Sequence, residues 1–536
     1  MAKKEKKAKS LEQTIFESCN KLRSNMTAIN YMHFVLGLVF LKFASLKFEA
    51  RRDELLNSDD KAFVDMPSFY KEKNVFFLSE PSRWSTIKSN AKQSDIGLKV
   101  DDAFIEIEKL NPELRGATPI GIYGKTSLPA EKFASLIAEI DKIEPDKNHP
   151  MADLIGHVYQ YFLNKFAIKS ADEKGEFYTP DTIVDLIVEL IQPYSGKIYD
   201  PCCGSGGMFI QSYKFVQSHR GNAQNISVYG QESNADTWKL AKMNLAIRGI
   251  PCNLGKKEAD TFGDDQHKDE HFDFIIANPP FNLKNWRGDN ALLDDARWHG
   301  YGVPPVSNAN YAWILHMLSK LTPKTGVAGF LLANGALGAD GDEKVIRENL
   351  IKNHKIEAIV ILPSEMFYYT PISVTLWIMD ESKEARTVEH DGQIVQLRDR
   401  TNDVLFMDLR TYGHYSQDGY KELNDSDVDV LGNPQVNEVK LIKETLFNWQ
   451  SPDWKTKYKD VPEFCKSVSE SVIGDKDHDF SLVPSKYIEF IDHDLNIDYP
   501  KEMKRIQQEM KAIIKEEKQS ESSMEEAFKG IGYGLD

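Results

Sequence analysis

With 536 residues, the chain is too long for one ordinary core and points to about three domains. Hydrophobic residues at 41% and charged residues at 28% give the composition of a soluble globular protein. A formal net charge of −16 excludes a surface that wraps nucleic acid throughout, because counterion release needs concentrated Lys and Arg; any DNA contact is local or completed by a basic partner.

The chain opens on MAKKEKKAK (1–9), a basic stretch with no apolar core behind it, so no secretory signal is read there. Residues 1–10 read as a solvated, disordered tail, with a DNA-contacting arm as the alternative. Residues 11–168 read as a helical domain, rich in Leu, Phe and Ala without β alternation in stretches such as 31–50 and 151–167. Their strongest apolar run, 34–40, falls short of the roughly 20 residues that span a bilayer, so no membrane partner is expected. The cysteines (Cys19, Cys202, Cys203, Cys252, Cys465) are odd in number and lack C-x-x-C spacing. That fits a reducing, cytoplasmic compartment without structural zinc, and no metal site is read.

From 169 to 432 helices alternate with short β-rich runs: KIYD (197–200), ISVYGQE (226–232), FDFIIA (272–277), GVAGFLL (326–332) and IEAIVIL (356–362). The pattern predicts an α/β fold, a mostly parallel sheet with helices on both faces. SVTLWIMD (373–380) and DVLFMDL (403–409) are expected as antiparallel strands at its edge, with a tight hairpin at HDGQ (390–393) between them. Residues 433–536 read as a charged, mainly helical C-terminal region. Its last helix opens at Pro500, and Met503, Ile506, Met510 and Ile513 share one narrow seam. Such a seam packs either on the chain's own body or on a partner helix.

Ligands bind beyond the carboxyl ends of parallel strands, so polar residues at those ends matter most. The first end runs DPCCGSGGMF, Asp200 to Phe209, where Gly204, Gly206 and Gly207 allow a tight turn open to a ligand. Phe209 stands where a dinucleotide fingerprint needs its third Gly, which counts against a nicotinamide oxidoreductase. Glu232 ends the second strand and suits a ribose diol, unless it is simply solvated. Asp260 suits either an adenine amino group or a helix N-cap.

The fourth end is Asn278-Pro279-Pro280-Phe281. Two prolines stiffen the backbone and push the residue before each into an extended conformation. The Asn278 oxygen and the Pro279 carbonyl can then accept from one planar amino group, draw it toward a tetrahedral shape and aim its lone pair at an electrophile. Phe281 offers a face on which an extracted base can stack. A plain strand terminator has no need of Asn, two prolines and an aromatic together.

These residues resemble the amino-group methyltransferases that use S-adenosylmethionine. Asp200-Pro201, followed by Gly204-Ser205-Gly206-Gly207, looks like their cofactor turn, and Asn278–Phe281 looks like their catalytic tetrapeptide. Gly175, Glu176, Phe177, Tyr178, Thr179 and Pro180 resemble the segment that contacts the methionine part in the adenine-specific branch. Read locally, Thr179 caps a helix that Pro180 opens, with Ile183, Leu186, Ile187, Leu190 and Ile191 as its buried stripe. The N–H groups of that helix end suit a carboxylate.

Segments 301–318, 329–338 and 362–372 extend the resemblance to the modification subunit of type I restriction–modification systems. It implies a Rossmann-like methyltransferase domain with a helical N-terminal domain and a helical tail. It further implies methyl transfer to adenine N6 in duplex DNA, two such subunits on one specificity subunit, and a restriction subunit for cleavage. The loop 282–310, with Lys284, Trp286 and Arg287, is long enough to close over a flipped base, though these three stay outside the catalytic set. Competing readings are methylation of a protein glutamine amide, a catalytically silent assembly module, and a cytosine-C5 enzyme using Cys202 or Cys252 after proline.

Overall fold

The computed structural model describes residues 11–23, 26–126, 128–144, 158–159, 161–162, 165, 179–219, 225–367, 371–416, 419–429, 432–491 and 499–530. Nine strands form one sheet in which the chain runs outward, returns to the middle and runs outward again. β1 (Gly196–Asp200), β2 (Ile226–Gly230) and β3 (Cys252–Asn253) step to one edge. β4 (Phe274–Ala277) then returns to the other side of β1, followed by β5 (Val327–Ala333). All five are parallel.

β6 (Ile356–Ile361) lies beyond β7 (Val374–Asp380), which slots antiparallel between β5 and β6. A hairpin of β8 (Arg386–His390) and β9 (Gln393–Leu397) follows, turning at Asp391 and Gly392, both with positive φ, as the Asp-Gly pair requires. β10 (Asp403–Asp408) pairs parallel with β6. After the short pair β11 (His414–Tyr415) and β12 (Lys421–Glu422), β13 (Cys465–Ser469) closes the far edge antiparallel to β10.

Because side chains alternate along a strand, the sheet carries two cores. Ile276, Leu331, Val360 and Leu376 face the helices Asp181–Ile191, Gly207–Ser218 and Glu438–Gln450. Ile275, Phe330, Ile359 and Trp377 face the helices Asn310–Lys320 and Asp342–Lys352. The sheet is therefore covered on both faces, which is why its strands read as nearly continuous apolar runs.

The helical N-terminal region is built around the 29-residue helix Ala28–Leu56, whose cap Thr27 accepts from the Asn30 N–H. By length and hydropathy alone, Asn30–Leu56 could cross a bilayer, yet 83% of its most apolar window is buried inside the protein. Leu240, Met243 and Ile247 of the helix Ala235–Ile247 join this region's core, and Lys47 donates to the Ile247 carbonyl at 2.8 Å. That helix ties the N-terminal region to the sheet, and residues 1–488 form one compact unit.

Three expectations change. Residues 373–380 are antiparallel but central, as the burial of all seven β7 residues requires. Residues 403–409 are parallel to their inner neighbour and are not the edge. Nor is the first half of 433–536 a helical region apart: helix Glu438–Gln450 covers the sheet, and Trp449 Nε1 donates to Ser467 Oγ on β13 at 2.8 Å. Residues 489–536 form a second compact unit, whose 32-residue helix Tyr499–Gly530 carries Met503, Ile506, Met510 and Ile513 as exposed side chains.

Candidate active site

The order of strands reverses between β1 and β4, and in such sheets the crevice for a ligand opens there, beyond the carboxyl ends. The turn after β1 and the corner after β4 are therefore neighbours: Tyr199 lies in register with Ile275, one strand spacing away.

The turn is held by backbone hydrogen bonds from the second strand end. Gln231 N–H donates to the Asp200 carbonyl at 3.0 Å, and Cys203 N–H donates to the Gln231 carbonyl at 2.9 Å. Gly204 N–H donates to Glu232 Oε2 at 3.0 Å, while Glu232 Oε1 accepts from Asn234 N–H at 2.8 Å. Glu232 thus sets the shape of the turn as well as facing its rim. The third strand end joins through Ala259 N–H to the Glu232 carbonyl and Thr261 Oγ1 to the Pro201 carbonyl. Asp260 caps a turn, accepting from Gly263 N–H at 2.8 Å, and does not begin a helix.

Gly204 and Gly206 have φ of +52° and +82°, where a side chain would be strained. A Cβ at Gly204 or Gly207 would meet nothing within 4 Å, so open space lies above the turn. The helix Gly207–Ser218 starts here with no side-chain cap, leaving its first N–H groups toward that space. Asp200 is 1% exposed; burial pushes its carboxyl up to about 7, partly offset by the Cys202 N–H at 3.0 Å.

Burial and the Asp200 and Glu232 carboxylates likewise push the Cys202 and Cys203 thiols well above their ordinary value. Neither is a thiolate near neutrality. This counts against a Pro-Cys nucleophile, which must ionise to attack.

At the fourth end, Asn278 Nδ2 donates to Thr179 Oγ1 at 2.7 Å. Its Oδ1 is buried and has no hydrogen-bond partner among the described residues. A buried amide oxygen without a donor is costly unless a ligand supplies one. Pro279 is buried behind it, and Phe281 is half-buried with its ring edge-on to Phe367 at 6.5 Å. The next residue, Asn282, is held at a φ of +53° by Asn310, which accepts from its N–H at 3.0 Å and donates to its Oδ1 at 2.9 Å.

A profile for N-6 DNA methylase matches residues 151–494, more than half of the chain, and one for the HsdM N-terminal domain matches residues 11–140. The type I restriction enzyme HindI methylase subunit of Haemophilus influenzae is 37% identical over 454 residues, 82% of this chain and 94% of that one. The type I restriction enzyme MjaIX methylase subunit of Methanocaldococcus jannaschii is 29% identical across 97% of this chain and 91% of its own. The solved type I restriction–modification methyltransferase subunit from Streptococcus thermophilus has the same fold, with a TM-score of 0.70 at 23% identity over 89% of this chain and 99% of that one. This chain belongs to the type I restriction–modification methylase subunits.

The methyl donor of an N-6 methylase is S-adenosylmethionine, and the described residues of this methylase subunit fit it. The open glycine turn, the acidic rim at Glu232 and the uncapped helix start are the parts such a ligand needs. Gly175, Glu176, Phe177 and Tyr178 lie outside the described residues; Thr179 and Pro180 are within them.

Two site residues escaped the sequence reading. Asn244, 1% exposed on the helix Ala235–Ile247, donates to the Ser205 carbonyl at 2.7 Å and braces the turn. Gln231, fully buried, donates to the Ala259 and Asp264 carbonyls and accepts from Gln266 N–H, which fixes the 259–266 loop.

The loop 282–310 departs from expectation. Trp286 is buried against Phe262 and Trp298 and donates to the Pro305 carbonyl at 2.8 Å. The Arg287 guanidinium donates to the carbonyls of Gly288, Asp289, Ala291 and Pro304. Both hold the loop's own fold. Lys284 is exposed.

Proposed function

We propose that this methylase subunit transfers a methyl group from S-adenosylmethionine to N6 of an adenine flipped out of duplex DNA. Sequence reading falls to a specificity subunit carrying two copies of this chain, and a restriction subunit joins for cleavage in the cytoplasm. The seam Met503, Ile506, Met510 and Ile513 is the surface offered to the partner. The acidic net charge of −16 agrees with recognition delegated to another subunit. One observation carries the catalytic reading: the buried Asn278 Oδ1 without a partner, at the strand end beside an open glycine turn.

Asp200, Gly204, Ser205, Gly206, Gly207, Glu232 and Asp260, with the segment 175–180, would hold the cofactor. A carboxylate has about four acceptor positions, so two N–H bonds to Glu232 orient it for a ribose diol without exhausting it. When bound, S-adenosylmethionine supplies an electrophilic methyl group on a sulfonium. Asn278 Oδ1 and the Pro279 carbonyl accept the two protons of the adenine amino group. That withdraws the nitrogen lone pair from the ring and turns it toward the turn side. Pro279 and Pro280 keep the two acceptors from yielding, so their alignment needs no reorganisation as charge develops. Phe281 stacks on the extruded base. After transfer the substituted nitrogen is cationic; the same acceptors hydrogen-bond its N–H groups while one proton passes to water.

The test is to co-express the chain with the product of its neighbouring gene and assay DNA for N6-methyladenine, with Asn278→Ala as control. Tritium from labelled cofactor should enter DNA; label in protein instead would support the glutamine-amide reading.

A further inference from the structure

Thr179 stands just before a helix, where a Thr hydroxyl commonly accepts from an N–H of the first turn. Here it does not. Pro180 occupies the cap position of the helix Asp181–Ile191, and no side chain caps it. The hydroxyl accepts instead from Asn278 Nδ2 at 2.7 Å, joining residues 99 apart in sequence.

The consequence for Asn278 is one of direction. A primary amide offers an accepting oxygen and a donating NH2, and a half-turn about its last torsion exchanges them. With Nδ2 tied to Thr179, Oδ1 takes the other place, where it is buried and has no partner among the described residues. The half-turned amide would point N–H groups at the adenine amino group, itself a donor, and would oppose its pyramidal distortion. Both ends of the hydrogen bond are also stiff. Thr179 precedes Pro180 and Asn278 precedes Pro279, so each backbone is confined to extended conformations. Little chain entropy opposes holding the bond.

We infer that Thr179 is a positioning residue for methyl transfer: its hydroxyl anchors the Asn278 amide in the orientation found here, which leaves Oδ1 to accept from the target amino group. The inference rests on the catalytic reading of Asn278. A role for Thr179 confined to holding the cofactor would show in cofactor affinity; a role through Asn278 shows in turnover.

Thr179→Val removes the hydroxyl and keeps the branched shape, whereas Thr179→Ser keeps the hydroxyl. With the full chain in complex with its co-expressed neighbour, kcat, the KM for DNA and the calorimetric Kd for S-adenosylmethionine are measured for both, beside Asn278→Ala. Thr179→Val should lower kcat about tenfold, a larger factor than any rise in KM or in the Kd for S-adenosylmethionine, and Thr179→Ser should recover kcat to within about threefold. The double variant with Asn278→Ala should be no slower than Asn278→Ala alone, because the two residues act as one unit. If a thermal melt shows that valine unfolds the chain, Thr179→Ala carries the same expectation. Full turnover in the Val or Ala variant, a loss confined to Kd, or an equal loss in the Ser variant overturns the inference. An active Asn278→Ala would overturn the catalytic reading itself.

Discussion

The turn after β1 and the corner after β4 sit on adjacent strands, yet they are built from opposite materials. The first is made of glycines, with φ of +52° and +82° and no side chain over Gly204 or Gly207. Its polar groups are braced from within: Asp200 accepts from Cys202 N–H, Glu232 from Gly204 N–H, and the Ser205 carbonyl from Asn244. The second is made of prolines, and it leaves one buried amide oxygen without a donor among the described residues. Space is what a glycine turn provides, whereas a proline corner provides direction. Holding a cofactor needs the former, and reshaping an amino group needs the latter.

That contrast can be broken at several points. The largest effect should come from Asn278→Ala, which removes the directed oxygen. By analogy with the loss of one preorganised partner of a transition state, kcat should fall roughly 10²–10³-fold while calorimetric cofactor affinity stays near wild type. Gly204→Val fills the open space and strains a positive φ, so cofactor Kd should weaken by about two orders of magnitude, a cost of about 3 kcal/mol, measured by the same calorimetry.

The Asp200 carboxyl gives a pH signature. Its folded pKa of about 7 lies above the ordinary 3.8, so its contribution to stability is complete below pH 3.8 and is lost as pH rises through 7. Between pH 5.5 and 8 the cofactor-free wild type should therefore lose about 2 kcal/mol more than Asp200→Asn, read from urea melts. The smallest effect belongs to Cys202→Ser, which should leave turnover within about twofold, since a thiol held protonated contributes no nucleophile. A dead Cys202→Ser that still bound cofactor would reverse the assignment of the two corners.

The sheet was legible where strands are buried on both faces. β4, β5 and β6 read as apolar runs and β1 and β2 as shorter, partly exposed ones, and the strand order brings the ends that bear Asp200, Glu232 and Asn278 to the same edge of the sheet. β3 was not legible, because two residues carry no period. β13 was missed because only its first and fourth residues are buried, within a stretch of charged helices. Thr179 was read as a helix cap because local rules see only local partners; the better donor, Asn278, is 99 residues away. Trp286 and Arg287 looked available for a lid, but the aromatic residues and carbonyls that hold them are set by tertiary packing. Asn244 and Gln231 gave no signal, since a polar residue looks the same in sequence whether it braces a neighbour or meets water.

The placement of β7 has a consequence for synthesis on the ribosome. β6 never touches β5; both pair with β7, and β10 comes later still. The catalytic half, β1 to β5, can pair as it emerges, but the strand 356–361 waits without any sheet neighbour until the chain has emerged to residue 380. For that interval a fully buried strand is a bare apolar edge, the kind of surface on which nascent chains stick to one another. Yield in the cell should therefore depend on how fast residues 362–380 follow that strand out of the ribosome, and slow codons read during that passage should send more of the product into aggregates.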